Sequence, residues 1–166
     1  LLHSGCTKPA KLEKGPVKKS LILMDTLVEV TAYGKKDVAE KAVYEAIKEM
    51  KRLAAIFDRH QESSFARRFD VCAGSKPLKA PREFLFVLSA TEKLVEASGG
   101  SFDPTIAPVL DAYSFSAKSP YIPKEEELSK LLRLRGWSKV FFDEQKGQAS
   151  LTQKGMAIDL GGVAKG

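Results

Sequence analysis

The segment Asp159-Leu160-Gly161-Gly162-Val163-Ala164-Lys165-Gly166 brings a carboxylate, a glycine pair and a lysine together, just after the apolar run Met156-Ala157-Ile158. Paired glycines let the backbone turn where side chains would collide, and they bring bare N–H groups close to a ligand. Lys165 adds a compact cation suited to phosphate oxygens. A P-loop would carry Ser or Thr after that lysine, where Gly166 stands, and the three-glycine Rossmann spacing is missing as well. The competing reading is a tight strand-to-helix turn with a solvated lysine.

A second segment, Gly99-Gly100-Ser101-Phe102-Asp103-Pro104-Thr105, runs on into Ile106-Ala107-Pro108-Val109-Leu110. A helix should end on the glycines, with Pro104 and Pro108 fixing a non-repetitive loop beyond it. Ser101, Phe102, Asp103 and Thr105 present two hydroxyls, a ring and a carboxylate. With Ile106, Val109 and Leu110 nearby, the loop is too apolar for ordinary surface. It either packs as a plug or lines a pocket for a flat ligand with polar edges. Taken alone, Asp103 and Asp159 would read as cap or turn residues.

Together the two segments closely resemble the FAD:protein FMN transferases, the ApbE or thiamine-biosynthesis lipoprotein family. Gly100 to Thr105 matches its Gly-x-Phe-Asp-Pro-Thr segment, and Asp159 to Gly166 its Asp-Leu-Gly-Gly-x-Ala-Lys-Gly segment. Met24-Asp25-Thr26 fits an early Met-Gly-Thr strand, with Asp25 replacing the glycine. Phe57 to Phe65 looks like the family's aromatic turn, with His60 where an aromatic is frequent. The four landmarks fall in family order and cover residues 20–166.

The resemblance implies that Asp159 contacts the flavin nucleotide with Lys165 near its phosphates. Ser101, Phe102, Asp103 and Thr105 would form the loop at the adenine or isoalloxazine end, and the Gly162 carbonyl would be a Mg²⁺ ligand. Met24 would pack against a ring or be an ordinary core methionine. His60 would stack on the cofactor or sit in a solvated turn. The implied activity cleaves FAD and passes FMN to a threonine hydroxyl of a flavin-accepting partner protein, with Mg²⁺, releasing AMP. Charge neutralisation on two phosphates is what such a step requires. An FAD pyrophosphatase and a non-catalytic flavin-binding envelope lipoprotein are the rival readings. Family members are longer than this chain, so the metal loop and any general base are expected beyond residue 166, and the 166-residue piece is expected to be inactive alone.

With 166 residues and 43% apolar content, a domain with a real core is expected. The net charge of +6 is concentrated in Lys8, Lys11, Lys14, Lys18 and Lys19. Residues 1–19 therefore read as a flexible basic tether beside anionic phospholipid rather than as a nucleic-acid face. Leu1-Leu2-His3-Ser4-Gly5-Cys6 ends like a bacterial lipobox. A lipidated Cys6 would place the protein in the bacterial cell envelope, anchored to a membrane and facing away from the cytoplasm. An expression-tag residue is the rival reading of Cys6. Cys6 and Cys72 do not form a disulfide framework, and nothing is long and apolar enough to span a membrane.

These residues must be held by alternating elements. Residues 20–33 predict a strand pair or one bent strand, and Asp37 to Phe57 an amphipathic helix. Pro81 should open a helix reaching Ala97, with Phe84, Leu85, Leu88, Thr91, Leu94 and Val95 inward. A short helix from Lys124 to Leu132 comes next, followed by strands at Lys139–Phe142, Gln148–Thr152 and Met156–Leu160, with Trp137 heading the first of them. The expected class is α+β, two-layer, with helices packed on an antiparallel or mixed sheet.

Overall fold

A computed structural model describes residues 15–24, 26–113 and 121–164. The chain divides into two compact units, Leu1–Leu53 and Ala54–Gly166. In the first, strands β1 (Val17–Leu23) and β2 (Thr26–Ala32) form an antiparallel hairpin with Leu23 opposite Thr26. The two-residue connection puts Met24 at φ 49°, the positive value that tight hairpin turns demand. The ladder pairs Val17 with Ala32. The strand therefore starts ahead of Ser20 and takes in Lys18 and Lys19, which the charge pattern had assigned to the tether. Lys18 makes an ion pair with Glu29 at 2.8 Å. Helix α1 (Lys36–Phe57) follows, with Asp37 in its first turn and Ala39 and Val43 buried.

In the second unit, α2 (Phe65–Val71) is capped by Ser64, whose Oγ accepts from the Arg67 N–H at 3.0 Å. The short strand β3 (Leu78–Lys79) precedes α3 (Arg82–Ala97), where Pro81 occupies the N-cap. Phe84, Leu85, Leu88 and Thr91 point inward as expected, but Leu94 is 46% exposed because the buried stripe ends one turn earlier. Gly99 and Gly100 leave the helix at φ 58° and 79°, conformations that favour glycine.

The segment after them is not a non-repetitive loop. Asp103 caps a 3-10 turn, Pro104–Ile106, that continues into α4 (Ala107–Ala112). Pro104 and Pro108 fall in first-turn positions, where a missing N–H costs nothing. Helix α5 (Glu125–Leu132) carries three glutamates in its first turn, a favourable match to the helix dipole. Trp137 lies in a 3-10 turn, Trp137–Lys139, rather than in a strand. Strands β4 (Val140–Asp143) and β5 (Gln148–Leu151) then form a hairpin, and the antiparallel order is β3-β5-β4.

Met156–Leu160, expected as a strand, joins no ladder among the described residues. Its N–H groups bond elsewhere: Ile158 to the Asp70 carboxylate at 3.0 Å and Asp159 to the Pro104 carbonyl at 2.9 Å. It ends in a single helical turn, α6 (Gly161–Ala164).

Phe65, Phe69 and Phe84 centre the core of this unit, the Phe65–Phe84 and Phe69–Phe84 pairs meeting edge-to-face at 4.7 and 5.1 Å. Leu88, Leu151, Met156, Ile158 and Leu160 complete it. Helices α2 and α3 contact β5 and β4, so the class is α+β with helices on an antiparallel sheet, as the pattern predicted.

Candidate functional site

The two glycine-bearing segments converge in the second unit. The Asp159 N–H donates to the Pro104 carbonyl, which splices the run into α6 against the loop after α3. A cleft of about 520 Å³ opens over this junction. Ser101, Phe102, Asp103, Asp159 and Gly162 all line it, together with Arg135 and apolar neighbours from the start of α4. A β-carbon on Gly162 would come within 3.2 Å of Phe102 Cε2, so the bare glycine lets the ring lie against α6.

Both carboxylates do local work as well as line the cleft. Asp103 Oδ1 accepts from the Thr105 N–H at 3.0 Å and the Thr105 hydroxyl at 2.5 Å. Thr105, fully buried, also accepts from the Gly136 N–H at 2.7 Å through the same oxygen. Asp103 Oδ2 lies 3.5 Å from Arg135 Nε. Asp159 Oδ1 accepts from the Gly161 N–H at 2.8 Å, a turn that leads into α6. Both aspartates make local turn or cap hydrogen bonds and both also line the cleft.

The other candidates fall elsewhere. Thr105 supports the cleft from beneath rather than lining it. His60 is exposed in the turn after α1, its N–H bonded to Asp58 Oδ1 at 3.0 Å, and is absent from the cleft lining. Met24, half-buried in the hairpin turn, belongs to the first unit. Lys165 and Cys6 lie outside the described residues.

Two features escaped the sequence reading. Arg135 follows α5 without any periodic signal, and only its proximity to Gly136 in sequence could have drawn notice. The other is a partly buried ion cluster. Arg59 Nε lies 3.3 Å from Asp70 Oδ2, while its two terminal nitrogens grip Asp111 on α4 at 2.7 and 2.8 Å. Asp70 Oδ1 receives the Ile158 N–H. Burial pushes the Asp70 carboxyl up to about 6, outweighing the pull of Arg59 and of the Ile158 N–H. The hydrogen bonds from Arg59 hold Asp111 below the usual carboxylate range. Asp111 and Asp70 raise Arg59 still further.

A hard divalent cation wants several oxygen ligands in near-octahedral array. Among the described residues no three His, Cys, Asp or Glu side chains cluster to hold a metal. Asp103 Oδ1 and Asp159 Oδ1 accept hydrogen bonds from the protein. The described residues do not form a Mg²⁺ site by themselves.

A model of the ApbE family matches residues 24–166. The chain belongs to the ApbE family. It is 24% identical over 152 residues to an FAD:protein FMN transferase of Treponema pallidum (strain Nichols), covering 87% of this chain and 42% of that protein. It is 22% identical over 165 residues to an FAD:protein FMN transferase of Chlamydia muridarum (strain MoPn / Nigg), covering 99% and 51%. The crystal structure of an ApbE protein from Thermotoga maritima superposes with a TM-score of 0.80 at 23% identity, covering 92% of this chain and 49% of that one. The flavin transferase ApbE from Vibrio cholerae gives 0.81 at 18%, covering 92% and 50%. The chain thus shares the ApbE fold and spans about half the length of the relatives it matches.

Proposed function

We propose that the whole protein is a flavin transferase that cleaves FAD and attaches FMN through a phosphoester to a threonine of a target protein, releasing AMP. The single observation that carries this reading is the convergence of the Gly100–Thr105 and Asp159–Gly162 segments on one cleft, spliced by the Asp159–Pro104 hydrogen bond. The names of the related proteins support it. In the reaction a bond forms between the threonine Oγ and the FMN-side phosphorus. The pyrophosphate P–O bond breaks, AMP leaves with the bridging oxygen, and the hydroxyl gives up its proton. The cleft residues of this chain hold and orient the dinucleotide, which is most of what phosphoryl transfer asks of a protein. Phe102 offers a ring for stacking, and Asp159 a carboxylate for a ligand N–H or O–H.

The Mg²⁺ requirement, a lipid anchor at Cys6 and a place in the bacterial cell envelope belong to the same proposal and rest on the resemblance and the sequence. No helix among the described residues is long and apolar enough to cross a membrane.

The test mixes full-length protein, FAD, Mg²⁺ and a flavin-accepting partner, then follows AMP and the partner's mass. Transfer predicts a mass gain of one FMN on the partner with AMP formed in step. AMP with free FMN and an unchanged partner would make the protein a pyrophosphatase, and neither product would leave a binding module.

A further inference from the structure

Two carboxylates, Asp103 and Asp159, line a cleft that on the reading above receives a dianionic pyrophosphate. Like charges at close range disfavour such a ligand unless a cation offsets them. Among the described residues lining the cleft, Arg135 is the only cation. Its backbone is fixed at one remove, since the next residue, Gly136, donates its N–H to buried Thr105 Oγ1. Thr105 in turn donates to Asp103. The side chain is half exposed, and its recorded partner is Asp103 Oδ2 at 3.5 Å from Nε. That is a loose, one-point contact, not the two-bond fork that a guanidinium forms with a committed carboxylate partner. Asp103 therefore steers Arg135 toward the cleft without consuming its planar set of donors.

We propose that Arg135 is the phosphate-recognising residue of this cleft, binding oxyanions of the dinucleotide while Asp103 and Thr105 hold it in place. The inference rests on the flavin-transferase reading for its natural ligand, but its chemistry is that of any pyrophosphate. It divides the labour of the cleft: Phe102 and Asp159 serve the ring and polar edges, and Arg135 serves the charge. A guanidinium suits the task better than an ammonium, because two phosphate oxygens can be met at once.

The experiment measures binding of FAD, ADP and riboflavin to full-length protein carrying Arg135→Gln or Arg135→Lys, with thermal melting as the check on folding. Arg135→Gln should weaken FAD and ADP by roughly tenfold to a hundredfold, the size of a lost charge-assisted contact, and leave riboflavin within about twofold. Arg135→Lys should fall between wild type and Arg135→Gln for the two phosphate ligands. An equal loss for riboflavin would mean that Arg135 only positions Asp103, and unchanged FAD and ADP binding in a folded variant would also overturn the proposal. Wild-type protein that binds ADP through Arg135 but not FAD would sink the flavin reading and leave the phosphate site standing. Wild-type protein that binds neither would sink both.

Discussion

Asp103 and Asp159 each commit Oδ1 to a nearby backbone N–H, yet both residues line the same cleft. An aspartate that only caps can be replaced by asparagine at little cost, because the amide oxygen still accepts the hydrogen bond. Where the aspartate also meets a ligand, the same replacement removes the charge that its remaining oxygen offers. Asp159→Asn should therefore melt within about 0.5 kcal/mol of wild type while losing roughly tenfold in FAD affinity. Asp159→Ala should lose the same affinity and a further ~1 kcal/mol of stability, because the hydrogen bond to the Gly161 N–H goes too. Isothermal titration and chemical denaturation on the full-length protein check both. Undiminished FAD affinity in Asp159→Asn would return Asp159 to a purely structural role.

At the level of elements, side chains tie together segments that run into the cleft. Asp70 on α2 holds the Ile158 N–H, and Arg59 ties Asp70 to Asp111 on α4, so one ion cluster links α2, α4 and the run into α6. The folded Asp70 carboxyl holds its proton more tightly than the unfolded one, at about 6 against 3.8. Its contribution to stability is therefore complete below the unfolded value and is lost as pH rises through about 6. Between about pH 7 and pH 5 the protein should gain about 1 kcal/mol of stability from this group. Asp111 acts in the opposite sense only at lower pH, since its carboxyl is held below the usual range. Asp70→Asn should abolish the gain, and denaturation at several pH values, compared between variant and wild type, reads it directly. A gain that persists in Asp70→Asn would assign the titration elsewhere.

This cluster also marks the limit of what the chain discloses. Long periodic helices were legible: α1 and α3 lie within a residue of where their apolar stripes put them. Helix α2 is seven residues long, too short for an apolar stripe to mark it. Met156–Leu160 looked like a strand because a short apolar run fits any buried extended chain. What distinguishes it is where its N–H groups go, and the Asp70 carboxylate that takes one of them lies 88 residues away. Asp103 and Asp159 were legible through their motifs. Arg135 was not, because it reaches the cleft by a turn rather than by periodicity.

At the scale of the whole molecule, the chain spans about half the length of its relatives, and several large apolar side chains among the described residues are exposed. Ile22 and Leu27 face each other across the hairpin at 78% and 73% exposure. Phe86 on α3 is 72% exposed. Among the described residues β4 pairs on one edge only and presents a half-exposed Phe141. An open apolar edge invites another strand. On the proposed reading Asp103, Asp159 and Arg135 hold the dinucleotide, and no described group of His, Cys, Asp or Glu side chains gathers a metal ion. Binding and chemistry should therefore separate. Residues 1–166 produced alone are expected to release no AMP and to flavinylate no partner when given FAD and Mg²⁺, under conditions where the full-length protein does both. Mass spectrometry of the partner and chromatography of the nucleotides decide it. Transfer by the 166-residue chain would mean that Asp103 and Asp159 support the reaction unaided, and that the division of labour argued here is wrong.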